Sequence, residues 1–411
     1  MFPRHRMLMV SPAAPWPATT GGLVRIAGIL GQMARHFDVS FVSPRRQDQL
    51  VPTDVPARFI CPPIGDASAA RKALALVDPW RPFHASVYSR AGIARIVRRE
   101  LLERHYDVVY SHFIYGMEYL RGCRVPVVID QQNVDRVYWQ NKADHSPVPV
   151  NLFAAWNTRR TVAYERRASP HIWAYVSVSE EDRELTRSYA GGFAKHFWVA
   201  SNGVDTRRFT PGANPVHSDA VVTLGYLGSM DLQMNVEAVQ RFCTELLPRI
   251  RQRLAGTDIR VLVIGRQPAA SLRALAQTVP GMSLSGTVAD VVPWLQRVTI
   301  LVSPLRIGAG TKLKVAEAMS CGLPVVGSPL AFAGLPGRSG EHYVRADNDD
   351  DFVSAVCRLA MQLPERTAMG GAARELTQAH LDWDSIGDRL AADIRAGLAG
   401  PSEPNTSPAD R

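Results

Sequence analysis

Residues 303–329, SPLRIGAGTKLKVAEAMSCGLPVVGSP, put three kinds of chemistry into one short span. Gly308 and Gly310 belong to a turn where backbone amides can approach a ligand closely. The spacing predicts a helix after them, TKLKVAEAMSCG, ending at Gly322. Its first turn offers free N–H groups and a partial positive charge, a combination that suits phosphate. Lys312 and Lys314 add full charges, but positions i and i+2 do not share a helix face, so at most one of them reaches a common ligand. Glu317 lies deeper, where a carboxylate can accept hydrogen bonds from a sugar diol. Phosphate plus pentose makes a nucleotide. The order Gly-Thr-Lys fits neither the GxxxxGK[ST] phosphate loop nor the three-glycine dinucleotide fingerprint. A glycine turn in front of an ordinary core helix has the same pattern, and spacing alone does not separate the two readings.

The elements that must position this chemistry are short β-branched runs alternating with helical patterns. RMLMVSP (6–12), DVSFVSP (38–44), ARFICPP (57–63), DVVYSHF (107–113), VPVVIDQQN (125–133), IWAYVSVS (172–179) and HFWVASNG (196–203) read as strands. A Gly-, Pro-, Asn- and Ser-rich stretch over 201–219 reads as a linker. The alternation restarts with VVTLGYLG (221–228), VLVIG (261–265), MSLSG (282–286), VTILVSP (298–304) and LPVVGS (323–328). Apolar runs alternating with helices predict parallel sheets covered on both faces, here two doubly wound α/β domains. A loop to Gly22 and a helix from Leu23 open the first. A helix over 383–400, with Asp384 or Ser385 as its cap, closes the second, and a polar tail over 401–411 reads as disordered. Ligands of such sheets bind beyond the carboxyl ends of the strands. That rule selects the segment 11–22, His112, residues 131–133, Gly228 to Asp231, Gly265 with Arg266, and 304–311.

Bulk properties narrow the partners. The chain has 411 residues, 46% hydrophobic and 21% charged, enough for real cores. No apolar window is long enough to span a membrane or serve as a secretory signal, which predicts a cytoplasmic protein. Five scattered cysteines without C-x-x-C spacing point to free thiols, and no metal-ligand spacing occurs among the 11 histidines. The net charge of +9 is uneven: residues 1–205 hold 26 Lys and Arg against 18 Asp and Glu, and the rest 21 against 20. Of all the basic residues only five are lysine, two of them in the quoted span. The segment 88–105, YSRAGIARIVRRELLERH, reads as a basic amphipathic helix. Such a helix suits an anionic membrane surface, and a solvated face on a core helix suits it equally. No aromatic–basic interleaving suggests nucleic acid.

Six motifs, in order, resemble the retaining glycosyltransferases of family 4: TTGGLVRIAGILGQMA, VASNGVDTRRFTPG, LGYLGSMDLQMNVEAV, VLVIGRQP, GTVADVVPWL and PLRIGAGTKLKVAEAMSCGLPVV. The resemblance covers most of residues 7–395. It implies a GT-B architecture: two Rossmann-like domains facing each other across a cleft, an acceptor-binding domain over 1–204, a donor-binding domain over 205–382, and a last helix, 383–400, that crosses back. It implies a retaining, metal-independent transfer of a sugar from a nucleoside-diphosphate donor to a hydroxyl acceptor. The acceptor would be a glycolipid or polysaccharide precursor, and no cofactor beyond the sugar nucleotide would be needed. The implied donor site is Gly21, Gly22, Gly228, Ser229, Gly308, Gly310, Thr311, Lys312 and Glu317. Lys314, Arg266 and His112 would carry the chemistry, with Asn133 and Gln132 on the acceptor side. A strand-capping structural histidine is the other reading of His112, and a turn-forming asparagine that of Asn133. Two positions depart from the pattern. Ala309 replaces the first glutamate of the E-x7-E motif, which bears on donor-sugar choice. Gln132 and Asp135 stand where histidine and glutamate are common, which bears on the acceptor. A nucleotide-sugar epimerase of the same fold and a non-catalytic sugar-nucleotide-binding scaffold are the rival functions.

Overall fold

The computed structural model describes residues 4–18, 20–45, 52–64, 67–212, 221–307 and 313–400. They form two compact units, one running to Ser201 and resuming at Ile386, the other Asn202–Ser385.

The first unit is built on seven strands: β1 (Arg6–Val10), β2 (Asp38–Val42), β3 (Ala57–Ile60), β4 (Val108–His112), β5 (Val127–Gln131), β6 (Ala174–Ser177) and β7 (His196–Val199). All pair in parallel, in the order β3-β2-β1-β4-β5-β6-β7. The order reverses between β1 and β4, which leaves a crevice at the carboxyl ends of those two strands. β4 and β5 are buried along their whole length. That is why they read as unbroken apolar runs rather than as an alternation.

The second unit holds β8 (Val221–Leu227), β9 (Asp258–Ile264), β10 (Met282–Leu284), β11 (Ile300–Ser303), β12 (Val325–Gly327) and β13 (Val344–Arg345). They are also parallel, in the order β10-β9-β8-β11-β12-β13, with the reversal between β8 and β11. Leu224, Val263, Ile300 and Val302 pack with Phe242, Leu246 and Phe352 on one face; Ile264, Leu301 and Val325 pack with Leu295, Val315 and Met319 on the other. Full burial of each such side chain contributes about 1.5–3 kcal/mol. The two-residue β13 is too short to leave a pattern in the sequence.

Several boundaries differ from the sequence expectation, each for a local reason. The first helix begins at Gly21, not Leu23, so the amides of both glycines lie in its first turn. The basic segment is helical only over Ala91–Glu103, after a separate short helix, Phe83–Tyr88. The stretch read as a linker packs on the second unit up to residue 212. Phe209 is buried there, and its carbonyl accepts from Ser320 Oγ at 2.7 Å. Neither Asp384 nor Ser385 caps the last helix, Trp383–Ala399, because both fall inside its first turn. Asp382 takes that role, accepting from the Asp384 amide at 2.8 Å. From Ile386 onward this helix belongs to the first unit: a Cβ on Gly387 would lie 2.4 Å from Gln32, and His36 pairs with Asp388 at 2.9 Å. All five cysteines are free. The 401–411 tail lies outside the described residues.

Candidate functional site

In the first unit the site starts from a buried ion pair. Arg25, on the first helix, is 1% exposed and Asp130, on β5, is fully buried. The guanidinium grips the carboxylate from Nε at 2.9 Å and Nη2 at 2.6 Å, and Nη1 donates to the Ala200 carbonyl at 2.7 Å. Burial alone would push the Asp130 carboxyl up. The Arg25 charge and the His112 hydrogen bond overcome it and hold it below the ordinary range.

His112 ends β4, fully buried, with Nδ1 3.0 Å from Asp130 Oδ2. Asp130 accepts there, which fixes Nδ1 as the protonated nitrogen. Nε2 of His112 is buried with no hydrogen-bond partner among the described residues. A buried polar atom without a partner costs about 1–3 kcal/mol, so a ligand atom offered there is well rewarded. The next residue, Phe113, has φ of +64°, a strained conformation for a bulky side chain. Such strain concentrates at functional sites.

The diglycine is brought to the same edge. A Cβ on Gly22 would meet Gln132 Oε1 at 2.7 Å and Phe113 Cζ at 4.0 Å. Gln132 is itself buried, and its Nε2 has no partner among the described residues. The helix Gly21–His36 has no side-chain cap bond at its start. Its first amides therefore join His112 Nε2 and Gln132 Nε2 as groups prepared for a polar ligand. Asn133, one residue on, is exposed. Asp135 follows on the helix Asp135–His145 and accepts from the Tyr115 hydroxyl. Burial pushes its carboxyl up to about 7, against that hydrogen bond.

In the second unit the centre is Lys314, on the helix Leu313–Ser320. Its Nζ donates to Tyr226 Oη at 2.8 Å and to Asn235 Oδ1 at 2.9 Å, and lies 4.4 Å from the Tyr226 ring centroid. Asn235 Nδ2 in turn donates to the Ser229 carbonyl at 2.8 Å. Gly228 must be small here, because a Cβ would lie 2.9 Å from Asn235. Arg266 Nε donates to Ser229 Oγ at 3.1 Å, and its Nη2 stands 3.5 Å from Asp231. A Cβ on Gly265 would lie 1.7 Å from the Gly228 carbonyl oxygen, so the loops after β8 and β9 touch backbone to backbone. Lys314, Gly228, Ser229 and Arg266 thus form one connected cluster at the carboxyl ends of β8 and β9.

Glu317 lies one turn beyond Lys314. The residue is partly exposed, yet its carboxyl is desolvated enough to be pushed up to about 7, against the lowering charge of Arg208. Among the described residues its carboxylate has no hydrogen-bond or ion-pair partner. The helix stops at Ser320; Gly322 follows it with φ of +70°, which suits glycine, and the Leu323 amide closes back on the Ala318 carbonyl at 3.1 Å. Gly308, Ala309, Gly310, Thr311 and Lys312 lie outside the described residues. Among those that are described, no group of three or more His, Cys, Asp and Glu side chains could hold a metal ion, and no helix is long and apolar enough to cross a membrane.

Sequence reasoning missed four residues that position the others: Arg25, Asp130, Tyr226 and Asn235. The first two had a readable signal. A charge in the middle of LVRIAGIL and another in VPVVIDQQ belong to apolar faces and so require each other. Tyr226 and Asn235 had none, since a strand tyrosine and a helical asparagine are ordinary.

The two units match different families. Residues 21–208 match the family described as Glycosyltransferase Family 4, and residues 221–362 the family described as Glycosyl transferases group 1. None of the curated proteins matches the sequence. Solved structures share the fold at low identity. Sucrose-phosphate synthase from Thermosynechococcus elongatus superposes with a TM-score of 0.70 at 13% identity, over 96% of this chain and 100% of that one. Anabaena HepE in complex with UDP gives 0.62 at 11%, over 95% and 100%. The trehalose 6-phosphate synthase from Burkholderia multivorans gives 0.63 at 12%, over 98% and 100%.

Proposed function

For this chain, a GT-B glycosyltransferase built from a Family 4 and a group 1 domain, we propose transfer of a sugar from a nucleoside-diphosphate donor to a hydroxyl acceptor with retention of the anomeric configuration. The observation that carries this reading is the Lys314 cluster, with the Glu317 carboxylate, which has no partner among the described residues, one turn away. A fixed ammonium with Arg266 and Ser229 beside it suits a diphosphate. A desolvated carboxylate without a donor suits a ribose diol. HepE has been solved with UDP and with UDP-glucose, which supports a uridine nucleotide as the first donor to test.

The roles follow from the chemistry of each group. Lys314 and Arg266 stabilise negative charge on the departing diphosphate, and the Gly228–Ser229 turn lets backbone approach it. Gly308, Gly310 and Thr311 are assigned by their sequence pattern to the phosphate as well, and with Lys314 in that role Lys312 is left out of direct contact. In the first unit, Gly21 and Gly22 offer helix-start amides to the donor. His112, oriented by Asp130, offers Nε2 to a sugar hydroxyl, and Gln132 and Asn133 serve the acceptor. The acceptor attacks from the face the diphosphate leaves, and the diphosphate takes up its proton. The protein then contributes placement and preorganised charge rather than a nucleophile of its own, and the residues on hand need no metal or further cofactor for that. The setting we propose is the cytoplasmic face of a bacterial membrane, with a lipid-linked envelope or exopolysaccharide precursor as acceptor.

Incubation with UDP-, GDP- and dTDP-sugars and a lipid-linked acceptor tests the proposal. Release of nucleoside diphosphate together with a glycosylated acceptor of unchanged anomeric configuration is the expected result. An isomerised donor would make the protein an epimerase, and binding without turnover would make it a scaffold.

A further inference from the structure

The basic helix Ala91–Glu103 has a use that the transfer reaction does not absorb. Its inner face, Ile93 and Val97, is buried in the first core. The buried Glu100 is held by Arg58 at 2.6 Å and by the Tyr106 hydroxyl at 2.9 Å. Its outer face carries Arg95, Arg98 and Leu102 at i, i+3 and i+7, and Leu102 is 80% exposed.

That outer face is one wall of a groove of about 680 Å³. The turn from Arg121 to Val125 forms the other wall. Arg95, Arg98 and Arg124 all line it, and none of the three has an ion-pair partner among the described residues. The floor is apolar, Ala94, Leu101 and Val125, with Leu102 exposed at its rim. Among the described residues the one acid in the lining is Glu118, already neutralised, 3.2 Å from Arg81 and 3.1 Å from Arg121. Three uncompensated guanidiniums above an apolar floor do not suit a neutral ligand or a bare ion. Guanidinium forks match phosphate oxygens, and the floor requires an apolar body attached to that phosphate.

The groove is also on the wrong edge for the reaction. The helix leads into the amino end of β4, and the Arg121–Val125 turn into the amino end of β5. His112 and Gln132 sit at or just past the carboxyl ends of the same two strands.

We propose that this groove binds one amphiphilic phosphate ester per chain. The phosphate lies on Arg95, Arg98 and Arg124, and the apolar part lies along Leu101, Leu102 and Val125. The ester is either the headgroup region of an anionic lipid or a soluble phosphorylated amphiphile. The site does not depend on what the chain transfers, so it can stand if the donor assignment falls.

Titration calorimetry with octyl phosphate is the test, with inorganic phosphate and with vesicles of phosphatidylglycerol or phosphatidylcholine as parallel arms. Octyl phosphate is expected to bind once per chain, with inorganic phosphate at least about tenfold weaker. Replacing Arg95, Arg98 and Arg124 together by Gln should cost at least about tenfold in octyl phosphate affinity, the worth of one charge-assisted hydrogen bond. Leu102→Asp should weaken octyl phosphate but not inorganic phosphate. The three arginines are exposed, so the triple variant should keep its circular dichroism, its melting temperature and its nucleotide binding. Phosphatidylglycerol vesicles that capture the wild type and release it to octyl phosphate would identify the lipid as the source; octyl phosphate binding without capture would identify a soluble ester. No binding of octyl phosphate, or equal binding by the folded triple variant, would overturn the proposal.

Discussion

Lys314 and Tyr226 are joined twice: the ammonium donates to the phenol oxygen at 2.8 Å and also stands 4.4 Å from the ring centroid. With Asn235 as its second acceptor, the lysine is held in place before any ligand arrives. Preorganised charge of this kind does the most for a developing anion. Lys314→Ala should therefore lower kcat by about 2–4 kcal/mol in activation free energy. Tyr226→Phe keeps the ring and removes one acceptor, so a smaller loss is expected. Steady-state kinetics on variants with unchanged melting temperature checks both.

Glu317 makes nucleotide binding pH-dependent. Burial disfavours the charge and pushes its carboxyl up to about 7, Arg208 only partly opposing it. The ionised form accepts from both hydroxyls of a diol, one on each oxygen, whereas protonation turns one of those oxygens into a donor. Affinity for a ribonucleotide should therefore rise as pH increases through about 7, and Glu317→Gln should flatten the profile and weaken binding by about 1.5–3 kcal/mol. Stability moves the opposite way. The folded carboxyl holds its proton to higher pH than the unfolded one, whose ordinary value is near 4.5. The wild type should lose stability as pH rises between those values, and Glu317→Gln should lose less. Melting curves at several pH values read this directly.

The buried pair in the first unit should matter for folding and chemistry separately. Arg25→Met leaves Asp130 charged and buried without its main partner, and should destabilise by about 3–5 kcal/mol. His112→Ala removes a ring whose Nε2 has no partner among the described residues. It should cut transfer sharply, with a much smaller loss of stability. Denaturant unfolding of both variants, beside their turnover, separates the two effects. Equal destabilisation without any kinetic effect of His112→Ala would return the histidine to a structural role.

Both domains were legible in the sequence because buried parallel strands are written as continuous apolar runs. Every run from RMLMV to LPVVG contains a strand of the two sheets, most of them one to four residues shorter than the run, while β9 starts three residues earlier than its run. The site was legible only where a residue type announces itself: glycines before a helix, a lysine in a chain of arginines, an acid among alanines. What holds those residues was less visible. The Arg25–Asp130 pair spans two segments more than a hundred positions apart, and Tyr226 and Asn235 acquire their meaning only when the loop after β8 meets the helix bearing Lys314. The Asp382 cap was missed for a similar reason, as three candidate residues stand close together and only backbone geometry chooses among them.

The diglycine offers a test by repair. Gly22→Ala places a Cβ 2.7 Å from Gln132 Oε1, the end of a side chain that can swing away. The variant should fold but work poorly, and Gln132→Ala in the same chain should restore part of the lost donor affinity. Gly265→Ala has no such escape, because its Cβ meets the Gly228 carbonyl at 1.7 Å. It should distort the loop that carries Ser229 and lose nucleotide affinity, whichever side chains are changed around it.

The central claim is that the second unit holds a nucleoside diphosphate between the Lys314 cluster and Glu317. Titration calorimetry of the full chain with UDP, GDP and dTDP tests it most directly. At least one nucleotide should bind with one site per chain, and Lys314→Ala and Glu317→Ala should each weaken that binding by at least about tenfold. Absence of heat with all three nucleotides in folded wild-type protein, or affinity unaffected by either substitution, would contradict it.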